Sequence, residues 1–227
     1  MPDIQLRASD GHEFSAHRID PLDTIGEPRG GIVLIQEIFG VNQHICATAA
    51  RYAGAGWSVI APAFFDRIEP GLVLGYDKAD TARGRDLVGK LESKQVLADL
   101  QAAVEALRDG GCDQVGVVGY CWGGAVAWVA ASRLPGIASA VSYYGSRIVN
   151  TIDEPPKVPT QLHVGKTDAS FPLAKVHEIG ERYPAIEIHE YDAGHGFNCD
   201  HRSGYDSTAS AHALARSLEF LARPNRG

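Results

Sequence analysis

The sequence predicts an α/β protein with a mostly parallel central sheet and helices on both faces. Three observations point there. Short apolar runs of strand type alternate with segments of helical period, Gly and Pro stand as punctuation between them, and no internal repeat or biased tract interrupts the pattern. With 227 residues, 44% hydrophobic and 22% charged, the chain lies close to an average globular protein, and one domain over 1–227 with one sizeable core is expected.

Taken in order, Ile4 to Leu6 and His12 to Ile19 read as a strand pair at the sheet edge. The run GGIVLIQE, ending at Glu37, reads as a buried strand. A helix from Asn42 to Ala53 follows, with Asn42 as N-cap and Gly54 or Gly56 closing it. Trp57 to Ala61 is the next strand, stopped by Pro62, and an irregular stretch rich in Gly, Pro and aromatics then runs to about Asp80. Beyond a helical region containing Arg83 and Arg85, the residues Val96, Leu97, Leu100, Val104 and Leu107 fall at helical spacing, up to the Asp-Gly-Gly after Arg108. The strand QVGVVG leads into the buried helix AVAWVAASRL. Strands at IASAVSYY, TQLHV and IEIHEY follow, with helices over Pro172–Arg182 and Ala211–Leu221, the last presenting Ala211, Leu214, Leu218 and Leu221 on one face. Right-handed crossovers between such strands give a parallel sheet covered on both sides.

A net charge of -7 and a pI near 5.7 disfavour nucleic acid or an anionic membrane as partner, because the long-range field repels phosphates. The segment MPDIQLRASD has neither a basic start nor an apolar run, and no later segment approaches the roughly 18 apolar residues that span a bilayer. A cytoplasmic location without a membrane partner is therefore expected. The four cysteines, Cys46, Cys112, Cys121 and Cys199, form no CxxC pair and read as reduced thiols.

One cysteine stands apart. Gly119-Tyr120-Cys121-Trp122-Gly123-Gly124 has the small-x-nucleophile-x-small pattern of an elbow, in which a strand turns sharply into a helix and lifts the central side chain above the sheet. Flanking side chains would collide there, hence the glycines. A thiol at a helix N-terminus is shifted toward thiolate; the bland alternative is a small cysteine buried in a tight turn. Asp168, in GKTDAS after a strand, and His195, in DAGHGF after the last strand, complete the order nucleophile, acid, base expected of the α/β-hydrolase fold. Parallel strands end at one sheet edge, where residues distant in sequence converge. His195 would take the Cys121 proton and later protonate the leaving oxygen, while Asp168 orients the ring. Asp192 and Asp153 are the other acid candidates.

Glu37 ends a predicted strand at the same edge, before Ile38-Phe39-Gly40. The backbone amides of Ile38 and Trp122 are candidates for an oxyanion hole. A carboxylate beside a thiol disfavours the thiolate, so Glu37 either holds the resting cysteine neutral until substrate arrives or simply caps local amides.

Together QEIFGVN, GYCWGG, the GKTDASFP loop and the AGHGF loop resemble the dienelactone hydrolase (carboxymethylenebutenolidase) family over nearly the whole chain. The resemblance implies a cofactor-independent hydrolase that opens a carboxylate-bearing conjugated lactone to maleylacetate, in the breakdown of chlorinated aromatics. It implies a triad of Cys121, Asp168 and His195, with Glu37 gating the thiol and arginines clamping the substrate carboxylate. The arginines depart from the pattern. One family arginine falls where this chain has Asn198 and Cys199, with Arg202 several residues on, and Arg83 and Arg85 match another only after a shift.

Phe39, Phe64, Phe65, Trp122, Tyr143, Tyr144 and Phe197 are candidates for an apolar pocket around a small organic ester, although several must be core and only one of the adjacent Tyr143 and Tyr144 can face the site. Cys199 with nearby His201 lacks a second ligand pair, so no metal is expected and a loop thiol is the simpler reading. Cys46 reads as core and Cys112 as a turn residue. No cofactor is expected, and the oligomeric state is open, a monomer included. The alternatives are a hydrolase of another activated ester or thioester, and a small-molecule binding protein on the same fold without turnover.

Overall fold

The computed structural model describes residues 3–22 and 28–223. The chain divides into two compact units, Met1–Gly116 and Val117–Gly227.

In the first unit, β1 (Asp3–Arg7) and β2 (Glu13–Ile19) pair antiparallel, with Asp3 opposite His17 and Arg7 opposite Glu13, as their alternating sequences predict. Strand β3 (Gly31–Ile35) is buried along its length and runs parallel to β4 (Ser58–Pro62), with Gly31 opposite Ser58. Strand β4 also pairs antiparallel with β2, Pro62 lying opposite Ala16. Pro62 is therefore the last paired residue of its strand and not the residue beyond it; at a strand end the missing N–H costs no ladder bond. Strand β3 stops two residues short of Glu37, because the chain turns over 36–40 and Gly40 takes φ +77.

Helix α1 (Gln43–Gly54) is capped as predicted: the Asn42 side chain accepts from the Ile45 N–H at 3.2 Å. The stretch expected to be irregular to Asp80 is more ordered. Phe64–Arg67 form a 3-10 turn, and α2 (Lys78–Lys90) begins at the Asp77 cap, whose carboxylate accepts from Asp80 N at 2.8 Å. Helix α3 (Ser93–Asp109) buries Val96, Leu100, Val104 and Leu107 of the predicted stripe, while Leu97 is only half-buried. Arg67 ties the 3-10 turn to α3, donating Nε and Nη2 to Asp99 at 2.8 and 2.7 Å.

In the second unit the strand order is β5-β6-β7-β8, where β5 (Val115–Tyr120) begins just before the boundary. Strands β6 (Ser139–Tyr143), β7 (Thr160–Gly165) and β8 (Glu187–Tyr191) are mutually parallel. Helix α4 (Trp122–Arg133) is largely buried, as a helix rich in Ala and Gly beside a sheet must be. Trp128, Leu162, Val164, Phe171, Val176 and Ile179 form the core between α4, β7 and α5 (Leu173–Arg182). Helix α6 (Ser207–Leu221) starts four residues earlier than predicted, at the Asp206 cap.

The buried face of α6 is Ala209, Ala213, Ser217 and Phe220 with Leu221, not the predicted row; Ala211 is exposed and Leu214 and Leu218 only half-buried. Polar chemistry explains the rotation. Ser217 turns inward to bond the Tyr143 hydroxyl at 2.8 Å and His163 Nε2 at 2.9 Å, and buried polar atoms require such partners. Among the described residues, no helix is long and apolar enough to cross a membrane.

Candidate active site

Cys121 follows β5 and is the N-cap of α4, at φ 55 and ψ −115, a region that side-chain-bearing residues rarely occupy. The surrounding backbone holds it there. The Cys121 N–H donates to Tyr143 O at 2.9 Å, and the Cys121 carbonyl accepts from the Gly124 N–H at 3.0 Å. The glycines are steric requirements: a Cβ on Gly119 would lie 1.9 Å from Gly123 O, and one on Gly124 would lie 2.7 Å from Tyr143 O. The elbow expected from the sequence is thus formed, with the sulfur at the start of a helix.

The loop after β7 carries Asp168, whose backbone N–H donates to Gly165 O at 3.1 Å while its carbonyl accepts from Phe171 N. Phe171 is buried in the core and anchors the loop. The loop after β8 carries His195. A Cβ on Gly165 would meet Ala193 O at 2.4 Å, so the two loops approach closely because β7 ends in glycine.

These three elements bring three predicted residues together. His195 Nε2 is 3.2 Å from Cys121 Sγ, and its Nδ1 is 2.7 Å from Asp168 Oδ2. Asp168 is buried, whereas Cys121 and His195 remain partly open to solvent. Burial works against a charged His195 ring, but the bonds to Asp168 and to the sulfur outweigh it and push the imidazole from 6.5 up to about 10. Burial likewise opposes the Asp168 carboxylate, and the His195 and Ser170 bonds reverse that, holding it below its ordinary value. A protonated ring between a buried carboxylate and a sulfur is equipped to stabilise a thiolate and to return a proton to a leaving group.

The competing carboxylates are elsewhere. Asp192 pairs with Lys166 at 2.8 Å with its side chain 90% exposed, and Asp153 pairs with Arg182 at 2.6 Å at 83%. Tyr144 and Tyr143 separate as expected for neighbouring residues. Tyr144, at φ 40, sets its ring edge-on to His195 at 5.1 Å, while Tyr143 turns to Ser217. Phe197 lies edge-on to Tyr144 at 5.3 Å. Both rings are fully buried, so they back the histidine instead of facing solvent. Trp122 is the first residue of α4. The Arg202 guanidinium packs on Gly196, where a Cβ would lie 2.6 Å from Nη1, one residue from His195.

In the first unit Glu37 is buried, and its carbonyl accepts from Gln36 Nε2 at 3.3 Å. Gly84 of α2 meets Ile38 so closely that a Cβ would lie 2.0 Å from its carbonyl oxygen, and Phe39 packs on Tyr76 at 4.5 Å. The arginines flanking Gly84 are exposed, and Arg83 donates to both oxygens of Glu69. Phe64 and Phe65 are core. Cys199 lies in a loop and is fully buried there, and Cys112 is also buried, which pushes its thiol up; Cys46, expected in the core, is half-buried, and none of the four is in a disulfide.

Ser170 was not anticipated. Its hydroxyl donates to Asp168 Oδ1 at 2.6 Å and lies 3.0 Å from His195 Nδ1. A serine two residues after a loop aspartate, as in Asp168-Ala169-Ser170, is the available signal, since such pairs close local side-chain turns.

The chain also resembles known proteins. The family model of the dienelactone hydrolase family matches residues 19–224. A carboxymethylenebutenolidase of Pseudomonas putida is 32% identical over 228 residues, covering 96% of this chain and 95% of that one. A crystal structure of a Klebsiella pneumoniae subsp. pneumoniae MGH 78578 protein named for dienelactone hydrolase superposes with TM-score 0.82 at 28% identity, covering 99% and 100%. A Pyrococcus furiosus esterase shares the fold at TM-score 0.71 and 20% identity, covering 98% and 90%.

Proposed function

We propose, for a chain that belongs to the dienelactone hydrolase family and is a hydrolase of the α/β-hydrolase fold, that Cys121 is the nucleophile opening a small lactone or ester, with a carboxylate-bearing dienelactone as the substrate. The observation that carries this reading is the continuous bridge from Cys121 Sγ through His195 to Asp168, at 3.2 and 2.7 Å.

The thiolate attacks the ester carbonyl carbon, forming a C–S bond while the carbonyl electrons move to oxygen. The N-terminus of α4, beginning at Trp122, offers that oxyanion a positive dipole end. Collapse of the tetrahedral intermediate breaks the C–O bond, and His195 Nε2–H protonates the leaving oxygen, which in a lactone stays tethered to the acyl group. Now neutral, His195 takes a proton from water as the hydroxide attacks the thioester. The carboxylic acid product leaves and the thiolate–imidazolium pair is restored. Asp168 keeps Nδ1 protonated and Nε2 aimed at sulfur throughout. Arg202, packed one residue from His195, is the cation proposed to attract the substrate carboxylate.

The test is hydrolysis of a carboxylate-bearing dienelactone, followed by loss of ultraviolet absorbance, with Cys121→Ala alongside. Turnover reduced by at least about 10³-fold in the variant is the expected result. Turnover retained by Cys121→Ala would remove the nucleophile assignment, and an inert wild-type protein would remove the substrate.

A further inference from the structure

We infer that Ser170 is a positioning residue of the site, one that locks the Asp168 carboxylate and shares the Nδ1 proton of His195. The role rests on the proposed Cys121–His195–Asp168 reading and extends it to a fourth side chain.

The argument begins with proton counting. A serine hydroxyl has one proton and two lone pairs. At 2.6 Å from Asp168 Oδ1 the proton is committed to the carboxylate, the shorter and charge-assisted of its two contacts. A lone pair then faces His195 Nδ1 at 3.0 Å and can only accept, so the nitrogen must carry its hydrogen. Nδ1–H is thereby divided between Asp168 Oδ2 at 2.7 Å and the serine oxygen, and the remaining nitrogen, Nε2, is left for sulfur. The hydroxyl selects the tautomer that the chemistry requires and offers the charged ring a second acceptor without adding a charge.

Asp168 Oδ1 receives two donors from the same residue, Ser170 N at 2.8 Å and Ser170 Oγ at 2.6 Å. Two bonds on one oxygen fix the carboxylate plane, and with it the direction in which Oδ2 points. Although Ser170 is exposed, its place is held by the buried Phe171 next to it. An exposed surface serine has no packing reason to meet both a histidine and its carboxylate partner; the two contacts require a place in the site.

The test follows the His195 titration by NMR of ¹⁵N-labelled imidazole in the wild type, Ser170→Ala and Ser170→Thr. In Ser170→Ala the midpoint falls by about one pH unit, because the charged ring loses an acceptor, and Ser170→Thr restores it. Ester hydrolysis by Ser170→Ala drops about 10-fold at neutral pH and recovers in Ser170→Thr. An alanine variant whose His195 titrates with the wild type overturns the assignment, even if its activity is lower at every pH. Because the titration needs no substrate, a wild type that hydrolyses no ester while Ser170→Ala shifts His195 would refute the hydrolytic reading and leave the role of Ser170 standing.

Discussion

Two buried aspartates, one in each unit, meet a cation in opposite ways. Asp99 on α3 is fully buried and receives Arg67 through two hydrogen bonds, with Asp10 on the guanidinium's outer side. Asp168 is nearly as buried but faces His195, with Ser170 on its second oxygen. Burial dominates at Asp99 and raises its carboxyl despite Arg67, whereas at Asp168 the partners prevail and the carboxyl is lowered. Arginine cannot release its proton at any working pH, so the first pair is a fixed tie between the 3-10 turn and α3. Histidine can, and its other nitrogen is 3.2 Å from a sulfur. The same carboxylate chemistry fixes an arginine in one place and holds a titratable ring in the other, and the difference lies in the partner's ability to titrate.

Substitutions should break the two aspartates differently. Asp168→Asn keeps the shape but loses the charge and can impose the wrong histidine tautomer. Hydrolysis is expected to fall by about 10²–10⁴-fold with little change in thermal unfolding, and kcat/KM beside a melting curve checks both. Asp99→Ala removes the buried partner of Arg67 and leaves it only the more exposed Asp10, so a loss of about 3 kcal/mol is expected in urea unfolding, while activity per folded molecule is retained. Equal effects of the two changes on stability would erase the distinction between the two aspartates.

The pH dependence of stability sharpens the contrast. His195 is raised above 6.5, so its contribution is complete below 6.5 and disappears as pH rises through about 10. Asp168 is lowered below 3.8, so its contribution is present above 3.8 and is lost as pH falls through its folded value. The stability difference between wild type and His195→Gln should therefore shrink between pH 6.5 and about 10. A difference that grows over that range would reverse the assignment of the ring as the charged partner.

Much of this was legible in the amino-acid order. Strand β3 announced itself as a continuous apolar run, α1 by its Asn42 cap, and the elbow by small residues around Cys121, because local sterics and hydrogen-bond need act within a few residues. The order Cys121, Asp168, His195 followed from placing each after a strand of a parallel sheet. Three features were decided by tertiary structure alone. The sequence prefers Asp168 over Asp192 and Asp153 by its place after a strand, but the burial of Asp168, with the other two left on exposed lysine and arginine partners, is set by the fold. The face of α6 was set by Ser217 reaching buried Tyr143 and His163, a polar demand that hydrophobic periodicity does not register. Ser170 acquired its role because the loops after β7 and β8 close on each other, bringing together groups 25 residues apart. Short-range physics selects the elements and the turn at Cys121; which polar groups lose water together is a property of the assembled chain.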